Sequence, residues 1–423
     1  MHNDRYAPAP APGPAPGPVS DPAPDAERAR RLGLAAVLAS TVGLWLAYGI
    51  GYTVTAVRFP EGGAAGWLIG LAGAVPSLAV LTLVPFVPRL AGRFGAVPVM
   101  VAGAALVATS FALMPVLEGI GWWLLLRLLS GVGLTLPWLV GETWINTVVT
   151  DRVRGRVVGL YAMLLFSGWA LGPLLVDQLG TTGPASFIVG VLGMALCAVP
   201  LVLARRLAPQ LPAHGRVSLP AAVRLAPLAM LAAAVGGVAE FGYISLLPAY
   251  ALDAGASTTT SLRLLSVLLV GGICLQVLVG WLADHVDRVR LLAGLGAALA
   301  VGVLGFAGLV GRGGPASYLA AFALGGVVVG FYAVGLTMLG ERVPTAQLAV
   351  ANAGFLVSYE LGATVGPVLG GAAMDLWRPH GLAVLVACVG VGFAVLVLRR
   401  GDRRSGQPAQ PTDTQDGSPA GSA

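Results

Sequence analysis

The feature that most constrains this chain is an alternation. Apolar runs of about 20 residues recur from residue 34 to residue 398, separated by short polar breaks. A helix rising 1.5 Å per residue needs about 20 residues to cross roughly 30 Å of hydrocarbon. On that ruler the sequence predicts twelve spans, over 34–57, 64–87, 96–117, 120–147, 156–179, 183–204, 225–250, 260–283, 290–311, 315–339, 346–374 and 381–398. The expected fold is therefore all-α, a polytopic membrane protein of two six-helix bundles. Composition agrees: residues of the AVILMFWYC set make up 57% and charged residues 10%, too little charge to coat a soluble surface. That excludes a cytosolic enzyme, a nucleic-acid-binding module and a disordered scaffold. Cys197, Cys274 and Cys388 sit singly in apolar runs, without a disulfide or zinc pattern. No metal or organic cofactor is implied, no GxxxxGK[ST] loop suggests an ATP-driven pump, and no enzyme activity is expected.

Domain boundaries follow from the breaks. Residues 1–33 read as a disordered Ala/Pro-rich tail, 34–204 as the first bundle, 205–224 as a linker, 225–398 as the second bundle, and 399–423 as a second disordered tail. The net charge of +6 comes entirely from Arg, and its placement gives an orientation. With the N-terminus in the cytoplasm, 20 of the 25 Arg lie in inner loops and tails. Only Arg58, Arg263, Arg312 and Arg378 lie outside, and Arg127 is within a span. Positive-inside bias thus predicts both termini in the cytoplasm of a bacterial inner membrane.

The halves repeat. Pro88-Arg89-Leu90-Ala91-Gly92-Arg93 follows the second span, and Gly280-Trp281-Leu282-Ala283-Asp284-His285-Val286-Asp287-Arg288 follows the eighth, 192 residues later. The fifth span carries Gly168-x-x-x-Gly172-Pro173, and the eleventh carries Gly362-x-x-x-Gly366-Pro367 after 194 residues. The fourth and tenth both end in Gly-Glu, at Glu142 and Glu341. Three pairs in the same order indicate duplicated six-helix units.

On these residues the chain, over roughly 34–400, resembles the major facilitator superfamily. Gly280 to Arg288 is similar to its loop motif G-x-x-x-D-[RK]-x-G-[RK], with His285 and Asp287 departing from it. The first-half copy retains Arg93 but has Gly92 in place of the acid. Arg127-Leu-Leu-Ser-Gly131-x-Gly133 resembles the helix-4 motif R-x-x-x-G-x-G. The Gly-Pro patterns resemble those associated with antiporters. Gly141-Glu142-Thr143-Trp144 followed by Arg154-Gly155-Arg156 is similar to a poorly characterised bacterial branch. The resemblance implies alternating access, with helices 1, 4, 7 and 10 lining a central cavity.

Ionisable residues inside a membrane are costly and mark function by default. Four stand out. Arg127 lies about 9 Å into its span, and Glu240 reaches about the same depth from the same side, so the two are expected to face each other as an interdomain couple that takes and releases a proton. A static pair is the competing reading. Glu360 is the second candidate for proton coupling. Glu142, near the cytoplasmic end, is expected to pair with Arg93 or Arg152 and to serve structure or gating. Trp45, Tyr48, Tyr52, Tyr243 and Tyr332 are candidates to line a cavity for an amphipathic solute, or else belong to interfacial packing. Asp284 and Arg288 form either a conformational latch or a surface ion pair. The Gly-Pro patterns serve packing, or a bend that seals the cavity.

The expected function is secondary transport, with proton-coupled export of a small amphipathic molecule first and proton-coupled nutrient uptake second. A non-transporting membrane receptor or assembly factor on the same fold is the alternative from another class. Expected partners are the solute, protons and lipid, with no nucleic acid and no obligate protein partner.

Overall fold

The computed structural model describes residues 24–209 and 219–405. Its α-helices are α1 (Pro24–Glu61), α2 (Gly66–Leu83), α3 (Val87–Phe94), α4 (Ala96–Leu113), α5 (Ile120–Val148), α6 (Asp151–Leu179), α7 (Ala185–Leu203), α8 (Leu219–Leu225), α9 (Pro227–Asp253), α10 (Thr258–His285), α11 (Arg288–Ala307), α12 (Pro315–Arg342), α13 (Thr345–Leu376) and α14 (Gly381–Ser405). Apart from the short α3 and α8, these correspond one for one to the twelve expected spans. Among the described residues eleven are long and apolar enough to cross a membrane, and α13 is the twelfth long helix. Only helices satisfy every backbone donor and acceptor within a single lipid-crossing segment of this kind.

Three boundaries differ from expectation. The second span breaks after Leu83 and resumes as the amphipathic α3. Pro85 and Pro88 flank this break, and each removes a backbone donor. The first span extends back to Pro24, so residues 24–33 are helical and not part of a tail. The Glu27–Arg31 pair at i,i+4 and the hydrogen bond from Arg30 Nη1 to the Val148 carbonyl (3.4 Å) support that extension. Likewise α14 runs on to Ser405, beyond the expected boundary at 398. The rest of both tails, 1–23 and 406–423, and linker residues 210–218 lie outside the described residues.

Close backbone approach organises each half, and the two halves use it alike. Gly172 of α6 sits against Gly49 of α1, where an added Cβ would lie 2.5–2.7 Å from Gly49 backbone atoms. In the second half Gly362 and Gly366 of α13 sit against Ala234 and Val238 of α9 in the same way. A Cβ added to Gly131 of α5 would lie 2.6 Å from Pro76 Cα of α2, and one added to Gly325 of α12 would lie 2.8 Å from the Gly272 nitrogen of α10. The Gly-Pro patterns therefore serve packing, through small residues that let carbonyls and Cα atoms touch.

The halves meet mainly through α2 with α13 and α6 with α10, with further contact of α9 on α1 and α2. Gly70 packs on the Pro367 carbonyl and Gly66 on the Gly371 carbonyl. Two polar contacts cross there as well, both at the end of the bundle opposite the termini. Arg263 Nε bonds Asp177 Oδ2 at 3.1 Å. Asp375, at the end of α13, accepts the backbone N–H groups of Gly66 (2.7 Å) and Trp67 (2.9 Å), capping α2 from the other half. A carboxylate on a helix N-terminus gains from both charge-assisted bonds and the helix dipole.

Burial works against the charged form of Asp375, but the Trp67 and Gly66 donors and then Arg378 outweigh it and hold the carboxyl below its ordinary value. The contribution of a carboxylate with a depressed value is complete above the ordinary pKa and is lost only as pH falls through the depressed one. The cap is therefore expected to persist through mildly acidic pH. In an Ile69→Cys protein whose Cys274 and Cys388 are replaced by serine, adding Asp375→Ala should speed labelling by a membrane-impermeant maleimide several-fold at neutral pH. An unchanged rate would mean that the cap does not hold this face closed.

Candidate functional site

Three helices, α5, α9 and α13, carry the membrane-buried charges, and the partners differ from those expected. Arg127 of α5 is 2% exposed. Its Nε donates to the Ala72 carbonyl of α2 (3.2 Å), and its guanidinium lies 4.3 Å from the Tyr52 ring centroid. Nη2 is buried without a hydrogen-bond partner. Glu240 of α9 accepts a hydrogen bond from the Tyr359 hydroxyl of α13 at 2.7 Å. Arg127 and Glu240 thus do not form the expected couple. Equal depth did not make them partners, because an aromatic face and a carbonyl occupy the guanidinium and a tyrosine occupies the carboxyl.

Glu360, 2% exposed, is placed where the halves meet. Its electrostatic neighbours are Ser77 of α2, across the boundary, and Glu240 on its own side. Neither Ser77 Oγ nor Glu360 Oε2 completes a hydrogen bond. Among the described residues no cation pairs with Glu240 or Glu360.

An aromatic chain ties these groups together across both halves. In the first half Trp45, Tyr48, Trp138 and Trp169 pack within 5.1–5.5 Å of one another through Trp45 and Tyr48. Tyr48 also stacks at 4.7 Å on Tyr52, whose hydroxyl donates to the Gly73 carbonyl at 2.9 Å. Phe241, next to Glu240, reaches Tyr52 (6.1 Å), Trp169 (5.8 Å) and Tyr359 (5.8 Å). Tyr332 of α12 closes the far side against Tyr359 at 5.0 Å and Phe355 at 5.1 Å. Such edge and tilted contacts are favourable ring geometries.

Of the expected lining residues, Trp45, Tyr48, Tyr52 and Tyr332 belong to this chain. Tyr243 does not: it is fully buried within the second half, against Phe306 of α11 at 6.3 Å. Trp138, Trp169, Phe241 and Tyr359 were not among the expected residues. Their signal was local, since Trp138 lies four residues before Glu142 and so on the same helix face, while Phe241 and Tyr359 adjoin buried acids.

Glu142 is also re-partnered. Its Oε1 accepts from Trp138 Nε1 at 2.8 Å and from the Tyr161 hydroxyl at 3.3 Å, and not from Arg93. Arg93 lies over the Phe94 ring at 5.3 Å. The side chain of Arg152 lies outside the described residues. In the loop motif, Arg288 pairs with Glu341 of α12, in its own half, while Asp287 caps α11 through the Arg290 N–H at 2.9 Å. Asp284 lines, with Arg288, Met338 and Glu341, a recess of about 350 Å³ on the termini side. Among the described residues Asp284 makes no ion pair with an arginine in this conformation, and no side chain approaches the position of a Cβ on Gly280.

Comparison with known proteins agrees with this architecture. A sequence profile described as Major Facilitator Superfamily matches residues 32–332. The uncharacterized MFS-type transporter YcaD of Shigella flexneri is 29% identical over 280 residues, 66% of this chain and 72% of that protein, and the Escherichia coli protein of that name is equally similar. Among solved structures, a bacterial homolog of the human lysosomal transporter Spinster, inward-facing and unoccupied, superposes with TM-score 0.71 at 14% identity, covering 90% of this chain and 99% of that one. The nucleoside transporter NupG gives 0.68 at 14% over 88% and 99%, and a D-xylose-proton symporter 0.65 at 16% over 86% and 96%. At these identities the structures show the shared fold.

Stacking of a desolvated guanidinium on an aromatic face contributes about 2 kcal/mol or more. Tyr52→Leu, which removes the face under Arg127, should therefore lower the melting temperature in detergent clearly. Tyr52→Phe keeps the ring and loses only the hydroxyl contacts, costing about 1 kcal/mol. Equal losses in the two variants would show that the hydroxyl, and not the ring, supports Arg127.

Proposed function

Since the chain belongs to the major facilitator superfamily, we propose that it is a secondary transporter of the bacterial inner membrane, working by alternating access and coupling export of a small amphipathic organic molecule to protons. The observation that carries this reading is Glu360. It is buried at the boundary between halves, beside Ser77 of the opposite half, with Glu240 as neighbour and no cation. Rocking of the halves separates α2 from α13 and so takes Ser77 away from Glu360. A carboxyl whose surroundings change between two states changes its hold on a proton between them. Glu240, held by Tyr359 on the same helix as Glu360, is the second group whose setting depends on the position of α13.

Direction is argued from charge and closure together. The Arg distribution supports a cytoplasmic position for both termini. The closed end of the bundle, with Asp375 on α2 and Arg263 on Asp177, is then the outer one. The partly exposed side chains of Glu142, Tyr161 and Tyr332 lie toward the inner one. An exporter loads from this state.

The test uses purified protein and a ligand identified by its rise in melting temperature. In proteoliposomes an imposed pH gradient should drive accumulation of that ligand by the unaltered protein. Glu360→Gln should abolish the accumulation while retaining ligand counterflow, which needs rocking but no proton. Glu240→Gln should reduce the accumulation at least tenfold. Undiminished gradient-driven accumulation in both variants would overturn proton coupling at these carboxyls, and the vesicle orientation in which flux occurs decides export against uptake.

A further inference from the structure

We propose that the termini side of the central site binds an organic cation, with Glu142 as its counter-charge and Trp138, Tyr161 and Tyr332 as its aromatic walls. The proposal rests on the transport reading above and names its substrate class.

Glu142 is a half-buried carboxyl group in the membrane part of α5, and among the described residues no cation pairs with it. Both of its hydrogen bonds, from Trp138 Nε1 and from the Tyr161 hydroxyl, end on Oε1. Oε2 makes no hydrogen bond among the described residues and is not among the fully buried unpaired atoms, so it is not enclosed by protein on every side. No described arginine forms an ion pair with it. Arg127 lies on the same helix but 15 residues away, about 22 Å along the axis, and is already committed to Tyr52 and Ala72. A charge kept at this depth without a partner is costly, and such residues mark pathways for what they bind.

The surroundings suit a cation and not a second hydrogen-bonding protein group. Trp138 meets Trp45 edge to face at 5.5 Å, and Tyr161 is within electrostatic reach of both Trp45 and Tyr332. Tyr332 comes from the other half and lies within reach of Glu142, Glu360 and Glu240 alike. Its hydroxyl, like Glu142 Oε2, is neither bonded nor buried as an orphan. Aromatic faces and edges around one carboxylate, drawn from both halves, attract an ammonium or phosphonium through ring quadrupoles and the fixed charge together. A carboxylic acid or phosphate ester would instead meet the like charge of Glu142. The two donors on Oε1 hold the carboxylate and both rings in fixed orientation, so the site is formed before a ligand arrives.

The probes are tetraphenylphosphonium and the smaller benzyltrimethylammonium, with tetraphenylborate as an anion of matching shape. Their binding to the purified full chain is followed by quenching of intrinsic tryptophan fluorescence. Expected is saturable binding of at least one cation, with affinity for tetraphenylborate at least tenfold weaker. Glu142→Gln keeps an acceptor for Trp138 and Tyr161 but removes the charge. It should weaken cation binding at least tenfold with the melting temperature of the unliganded protein unchanged. Trp138→Phe should weaken it less, since a ring remains. If neither cation binds better than the anion, or if Glu142→Gln binds cations as the unaltered protein does, the cation site is wrong. Because the readout is binding and not gradient-driven flux, that failure leaves proton coupling at Glu360 to be judged separately.

Discussion

Helix α13 is held from two sides by glycine-on-backbone contacts, and the rest of the site depends on that. Gly362 and Gly366 seat it on α9 within its own half, while Gly66 and Gly70 of α2 seat the opposite half on its Gly371 and Pro367 carbonyls. In lipid there is little hydrophobic gain in bringing helices together, so close van der Waals packing and interhelical hydrogen bonds decide which helices meet. The α9 contact is extended along a run of small residues and keeps the half together. The α2 contact joins the halves, and Asp375 adds the polar cap at one end of it. An interface between halves can open without unpacking either half. Glu360 lies on α13 just before these glycine contacts and beside Ser77 of α2, which is why a buried carboxyl there experiences the relative position of the halves.

The internal repeat takes on physical meaning in this packing. The Gly-x-x-x-Gly-Pro patterns of α6 and α13 make equivalent contacts, with α1 and α9 respectively. Each of the two helices also meets the other half, α13 through α2 and α6 through α10. Duplication accounts for both contacts. Asymmetry appears instead in the charges: Arg127 in the first half has Gly326 as its counterpart, while the carboxyls Glu240 and Glu360 both belong to the second half. Two similar bundles have thus been made different where they face one another, with hydroxyl and indole groups of the first set against carboxyls of the second.

Much of the fold was legible in the sequence because hydrophobic length and Arg placement are one-dimensional signals. All twelve spans fall within a few residues of their helices, and the misplaced edges are those where polar residues continue a helix, as at 24–33, or where Pro85 and Pro88 interrupt one. The site was less legible, since depth along a helix does not give azimuth. Arg127 and Glu240 share a depth but not a contact. Tyr243 was expected to line the cavity, yet it turns toward Phe306 within its half. The residues that were missed, Trp138 and Phe241 among them, have no chemistry of their own to announce them. They become visible only once the helix faces are fixed. Asp284 and Arg288 illustrate a further limit: a motif gives residue types, while the partner of Arg288 in this conformation is Glu341, about 50 residues downstream.

The membrane makes it possible to reason from the few charges that remain. Each buried ionisable group must be compensated, and the compensation distinguishes structural charges from those left available. Arg127 has an aromatic face and a carbonyl within its own half, so no change in the position of the second half is needed to satisfy it. Glu240 has one donor, from the helix that carries Glu360. Glu360 has Ser77 beside it from across the boundary, but its Oε2 completes no hydrogen bond. Glu142 has two donors on one oxygen and none on the other. Along this series compensation passes from within one half to between halves and finally to outside the protein. A charge completed within one half stabilises that half, and one completed between halves reports their motion. A charge left incomplete at a partly open end is the one that can be completed by a ligand of opposite sign.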